Sequence, residues 1–180
     1  MCALLVQFVY SPNIIGFFSY FTIMSNAFAT GIFLYIGLQH NDRLSKKLES
    51  FFGATVVYMF ITGLGYWVLL SNTVYPEMIP WVNIIIHAVM PIAVFIGWII
   101  YEHSHTLETD LAFSWISFPF IFLVYTLLRG VMVNWYPYPF LDPRTSMGYF
   151  RVFEYAVAFT IGFYIVGQVI IRIGNNIKKA

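Results

Sequence analysis

The chain alternates long apolar runs with short polar breaks. Five runs carry the roughly 20 mostly apolar residues that a helix needs to cross the hydrocarbon layer of a bilayer: residues 15–38, 51–70, 80–100, 111–133 and 150–173. The segments between them, 39–50, 71–79, 101–110 and 134–149, are short and polar, which makes successive helices antiparallel. The pattern predicts an all-α fold, a polytopic transmembrane helical bundle forming a single domain over residues 1–180. The opening stretch 1–10 is apolar but too short to cross. It is expected as an interfacial turn or as the end of a short or truncated sixth helix at the N-terminus. No internal repeat or low-complexity tract interrupts the pattern.

Composition fits this picture. Hydrophobic residues make up 60% of the chain and charged residues only 9%, against roughly 25% charged in a soluble domain. The polar residues cannot cover a sphere of this size, so lipid must do so, and membrane lipids are the first expected partners. Many Tyr and Trp residues lie near the ends of the runs, where interfacial belts form. A net charge of +1 supplies no basic stripe to neutralise phosphates, which argues against nucleic acid. A single cysteine, Cys2, rules out an internal disulfide framework and a cysteine-based zinc site. No extended basic region with a small-residue cleavage site precedes the first run, so no removable signal peptide is expected. The positive-inside rule sets the orientation. Arg43, Lys46, Lys47, Arg172, Lys178 and Lys179 fall on one side, against Arg129, Arg144 and Arg151 on the other. That places the C-terminus and the segments 39–50 and 101–110 in the cytoplasm, with 71–79 and 134–149 outside.

Polar groups that lipid cannot solvate are the most informative positions in such a bundle. Thr22 lies seven residues into the first run and His87 seven into the third, both counted from the outer side. At the rise of a helix both sit about 10 Å below the outer ends. Asn26 is one turn below Thr22, and Asn83 one turn above His87, each pair on one helix face. Arg129 falls near the outer end of the fourth run and Glu154 just inside the start of the fifth. All six belong to the outer half, and the inner half of the spans is nearly featureless by comparison.

A neutral imidazole takes a proton from a hydroxyl within reach, and an activated Thr attacks an acyl carbonyl. Asn83 or Asn26 would orient the base or donate to a developing oxyanion. The competing reading makes Thr22, Asn26 and Asn83 hydrogen-bonding glue between helices. Arg129 and Glu154 read most simply as an ion pair closing the outer layer, with Arg151 a competing partner and a substrate head-group site the alternative. His103 and His105, with Glu102, Glu108 and Asp110, match metal ligands by type but lack any established zinc spacing, so a solvated loop is expected. No metal or cofactor is expected. No G-x-S-x-G elbow, P-loop or dinucleotide fingerprint appears. Ala27 and Gly31 read as a small-residue patch for close helix approach.

Residues 17–26, FFSYFTIMSN, resemble the first motif of the bacterial "predicted six-transmembrane" family of integral membrane proteins. Residues 83–91, NIIIHAVMP, resemble its central His motif, and residues 135–142, WYPYPFLD, followed by Gly148, its third. The resemblance covers essentially the whole chain, although the family usually has a full first helix where this chain has residues 1–10. It implies a multi-pass protein of the bacterial cell membrane. The family is in turn distantly similar to the androgen-induced and androgen-dependent membrane threonine hydrolases of fatty acid esters of hydroxy fatty acids. Carried over, the nucleophile falls on Thr22 and the base on His87.

The expected function is therefore an intramembrane hydrolase of a lipid ester, with Thr22 attacking and His87 as base. Asn83, Asn26 or Tyr20 would steady the oxyanion, and Trp135, Tyr136, Tyr138 and Asp142 would form a lid over the outer mouth. The alternative is a non-enzymatic lipid- or small-molecule-binding protein or transporter using the same polar layer. A haem or metal role for His87 ranks last, since no second intramembrane histidine lies at its depth.

Overall fold

A computed structural model describes residues 2–11, 14–39, 43–73, 75, 78–145 and 147–178. Met1 and Lys179, which entered the readings above, lie outside the described residues. Among the described residues there are no strands, and five helices are long and apolar enough to cross a membrane. Helix α1 spans Cys2–Val9. The five long helices are α2 (Phe21–Leu38), α3 (Lys46–Leu70), α4 (Pro80–Ile100), α5 (Leu111–Val133) and α6 (Gly148–Ile177). At 1.5 Å per residue α1 is only about 12 Å long. It lies against α2 and α4 by way of Ala3, which packs with Phe17, Ile23, Val82 and Ile86.

Helix α3 is the axis of the bundle. It is 61% buried, against 22–33% for the other four, and it touches every one of them. The outward faces of α4, α5 and α6 carry Ile92, Ile96, Ile121, Val131, Ile161 and Ile165, all exposed as a lipid-facing surface requires. Aromatic rings fill the interior. Phe21 packs against Tyr58, Phe118, Phe122 and Phe163, tying α2 to α3, α5 and α6. Gly31 is not a point of close helix approach, since a Cβ placed there would meet nothing within 4 Å. A Cβ on Gly53 would come within 2.7 Å of the Trp115 ring, and one on Gly174 within 2.6 Å of Trp98. These glycines admit large indoles between helices, which no short-range pattern signals.

Two spans contain proline beyond the first turn, and the fold answers both in the same way. Pro119 has no N–H for the carbonyl of Trp115 four residues earlier, and the Tyr58 hydroxyl donates to that carbonyl at 2.7 Å. Pro91 likewise leaves the His87 carbonyl, which accepts from Trp67 Nε1 at 3.2 Å. Both donors stand on α3. Widened π-helical turns occur at Tyr66–Leu70 of α3 and Ile85–Val89 of α4, and they meet through Tyr66 and Trp67 on one side and His87 on the other.

Three expectations are corrected. The first run is not one helix. A short turn, Ile14–Phe17, precedes a break, and α2 begins at Phe21 with Tyr20 extended before it. Ser19 helps to end the turn: its hydroxyl takes the Ile15 carbonyl at 2.6 Å while its N–H bonds Gly16, the local competition that makes Ser a poor helix continuer. Second, α3 extends back to Lys46, capped by Ser45, and so contains Glu49. Third, the inner half is not featureless and the 101–110 segment is not simply solvated. Glu49 is fully buried, its oxygens 2.9 Å from His103 Nδ1 and 2.9 Å from His105 Nδ1. His103 Nε2 lies 2.9 Å from the Trp98 carbonyl. A buried charge demands such partners, and they come from a loop that the hydropathy pattern alone reads as surface.

Candidate functional site

Helices α2 and α4 bring Thr22 and His87 together: Thr22 Oγ1 lies 3.2 Å from His87 Nε2, and both residues are buried. The other ring nitrogen is held by two oxygens of Asn83, the side-chain Oδ1 at 2.7 Å and the backbone carbonyl at 3.1 Å. Facing two acceptors, Nδ1 must carry the proton, which leaves the lone pair of Nε2 aimed at the Thr22 hydroxyl. Asn83 in turn donates through Nδ2 to the Tyr66 hydroxyl. The Tyr66 ring stacks on the imidazole with centroids 3.9 Å apart and planes 18° from parallel. His87 is thus fixed on its edge by Asn83 and on its face by Tyr66, with the widened turns supplying the register for both.

Thr22 behaves unlike four other hydroxyls on the spans. Ser25, Thr30, Thr55 and Thr160 each turn back to the carbonyl four residues earlier, at 2.7–2.8 Å. Thr22 is the second residue of α2, and the residue four before it, Phe18, lies in the break. With no helical carbonyl to fold onto, its hydroxyl is left for His87.

Two cavities meet at Thr22. The larger, about 110 Å³, is apolar and runs among α2, α3, α5 and α6, lined by Phe21, Ile61, Phe122, Leu123, Phe159 and Phe163. Phe120 and Thr160, also on its wall, are exposed on the lipid-facing side, so the cavity reaches the bilayer between α5 and α6. The smaller, about 20 Å³, has Thr22, His87, Asn83, Tyr20, Tyr75 and Tyr138 on its walls. That is room for one water molecule.

The segment after α5 folds over this end. Asn134 takes a left-handed conformation at the end of α5, φ 54°. The Arg144 guanidinium donates to the Asn134 carbonyl at 2.8 Å and to both Asp142 oxygens at 2.8 and 2.6 Å. That hydrogen-bonded guanidinium holds the Asp142 carboxyl below its ordinary range. With the ends tied, the short turn Pro139–Leu141 drives Tyr138 and Leu141 inward against Leu70, Phe122 and Val152. The Tyr138 hydroxyl accepts from the Thr22 N–H at 3.4 Å, and burial pushes its pKa up to about 12.

The remaining expected residues divide. Tyr20 walls the small cavity, its ring edge-on to Tyr75, Trp135 and Tyr138. Trp135 covers Tyr20 from outside and carries the Arg129 guanidinium 5.1 Å from its ring centre. Asp142 ties the loop and does not line either cavity. Asn26 is glue: Nδ2 donates to the Thr22 and Ile86 carbonyls at 2.9 and 3.1 Å, so neither hydrogen remains for an oxyanion. Arg129 and Glu154 form no ion pair among the described residues. Glu154 is exposed and pairs with Arg151 at 3.8 Å, because the i,i+3 neighbour on its own helix is nearer than a residue on α5. Tyr66, Trp67 and Arg144 were not singled out by sequence. The only advance signal was for Trp67, since Pro91 demands a donor for the His87 carbonyl.

No family model matches the chain, and no curated protein or solved structure matches it either. What fold and site define is a class: an all-α, multi-pass integral membrane protein with a Thr–His–Asn array, its Thr and His buried, where an apolar cavity between helices meets a small one walled by Thr22, His87 and tyrosines.

Proposed function

We propose that this chain is an intramembrane hydrolase of lipid esters, of the fatty acid ester of hydroxy fatty acid type implied by the sequence resemblance. The observation that carries the reading is the 3.2 Å approach of Thr22 Oγ1 to an Nε2 whose lone pair the Asn83 oxygens leave free. That is the nucleophile, base and orienting group of general-base-assisted acyl transfer.

An ester diffusing in the bilayer enters between α5 and α6, and its acyl chain occupies the apolar cavity. His87 Nε2 takes the Thr22 hydroxyl proton as Oγ1 attacks the ester carbonyl carbon, and the carbonyl electron pair moves onto oxygen. Collapse of this adduct breaks the bond to the alkoxy oxygen, which leaves with the proton from His87 as an alcohol. A water in the small cavity then gives a proton to His87 and attacks the acyl-threonine. The carboxylic acid departs, and Thr22 recovers its proton. The positive-inside count places this end away from the cytoplasm.

The test is hydrolysis of a panel of lipid esters by the full chain in micelles, alongside labelling by a fluorophosphonate. Thr22→Ala and His87→Ala should each lower kcat by ~10⁴-fold and abolish labelling at position 22. Parent-level hydrolysis surviving both substitutions ends the mechanism. Lipid binding retained without any labelling of Thr22 in the parent chain favours the binding-protein alternative instead.

A further inference from the structure

Resting on the hydrolase reading, we propose that Tyr138 is a further catalytic residue, donating its phenolic proton to the oxyanion together with the Thr22 backbone N–H.

Helix α2 starts at Phe21, so its first amides lack partners within the helix. The N–H groups of Ile23 and Met24 both turn back to the Tyr20 carbonyl. The Thr22 N–H does not; its partner is the Tyr138 hydroxyl at 3.4 Å, a long bond brought from 116 residues away. In that bond the phenol oxygen is the acceptor, so the bond leaves the phenol's own O–H to a second partner, the Thr22 side chain in the resting site. The nucleophile's own amide and a buried phenol therefore converge at the start of a helix, where the backbone dipole favours negative charge.

The place also fits. Thr22, Tyr66, Leu70 and Tyr138 are shared by the walls of both cavities. An acyl chain in the apolar cavity, with its carbonyl carbon at Thr22 Oγ1, brings its carbonyl oxygen to this junction. There it replaces the phenol oxygen as acceptor of the Thr22 N–H and takes the phenol O–H as well. Attack by Oγ1 puts one electron pair on that oxygen, which two donors then face. Burial keeps the phenol protonated through the neutral range, and its ring is held by Tyr20 at 5.9 Å and Phe140 at 5.1 Å between centroids. Asn26 has spent both hydrogens on carbonyls, and Asn83 Nδ2 donates to the Tyr66 hydroxyl. Tyr66 and Tyr75 also bring phenols to the small cavity, but the Tyr138 hydroxyl is the one that meets the Thr22 N–H.

The experiment is the hydrolysis of p-nitrophenyl decanoate in detergent micelles by purified full-length Tyr138→Phe, which keeps every ring contact and removes only the hydroxyl. The expected result is a kcat lowered about 10²–10³-fold with KM within threefold of the parent, the mark of a donor used in the transition state. A kcat within threefold of the parent overturns the proposal. If Tyr138→Phe fails to fold, 3-fluorotyrosine at position 138 preserves the shape and makes the phenol a stronger donor. It should raise kcat about twofold, and an unchanged kcat overturns the proposal. Thr22→Ala in the same assay separates the two readings. Activity lost there but kept in Tyr138→Phe leaves the hydrolase standing and removes Tyr138 from it. Activity kept in Thr22→Ala removes both.

Discussion

Asn83 holds His87 Nδ1 through two oxygens that differ in what a mutation can reach. The side-chain bond is the shorter, 2.7 Å, but the backbone bond at 3.1 Å remains whatever side chain stands at 83. Asn83→Leu should therefore keep the tautomer and loosen the ring, costing about 1–3 kcal/mol of alignment. That is a kcat lower by about 10- to 100-fold and well above the His87→Ala background. A fall all the way to that background shows that the side-chain bond alone sets the tautomer. Thr22 illustrates the complementary point. Its type does not distinguish it from Thr30 or Thr55, whose hydroxyls fold onto their own helices. Its position in the second slot of a helix does.

At the scale of elements, α3 works as a donor rail for its neighbours' prolines. Tyr58 and Trp67 each satisfy a carbonyl that a proline has deprived of its N–H. Tyr58→Phe should leave the Trp115 carbonyl without a partner in a buried place and destabilise the bundle by about 1–3 kcal/mol, read as a lower melting temperature in micelles. Pro119→Ala on that background restores a backbone donor and should recover most of the loss. Additive effects in this double-mutant cycle mean that the two positions are not coupled. The sequence located α4 and α5 at the residues where they occur, because length and apolarity suffice for continuous spans. It misplaced the start of α2, because the end of a helix inside an apolar run depends on Ser19 and the aromatic packing around it, and hydropathy is blind to both.

The whole molecule carries polar clusters at both ends, held apart by an apolar middle. At the end away from Thr22, both nitrogens of His103 face oxygens, one from Glu49 and one from the Trp98 carbonyl. Such a cluster costs most when broken, since removing one partner strands the others in a dry interior. Glu49→Leu should destabilise the chain by about 3–5 kcal/mol, measured by thermal unfolding in micelles. Ester hydrolysis per folded molecule should stay at the parent level, because neither cavity at Thr22 includes this cluster. A kcat that falls with stability unchanged shows coupling between the two ends.

The sequence by itself determined that this is a helical membrane bundle, which segments span, and that Thr22 and His87 lie at similar depth. Hydropathy fixes the first two because the bilayer gives unpaired backbone no alternative to the helix, and helix rise supplies the third. Only the tertiary structure decided which polar residues meet. The break before Phe21 freed the Thr22 hydroxyl, and the widened turns set Tyr66 on His87. The Asp142–Arg144 tie lowered Tyr138 onto the start of α2, and Arg151 took Glu154 from Arg129. Each is a contact set by side-chain direction and backbone register, quantities to which a pattern of apolar and polar letters is insensitive.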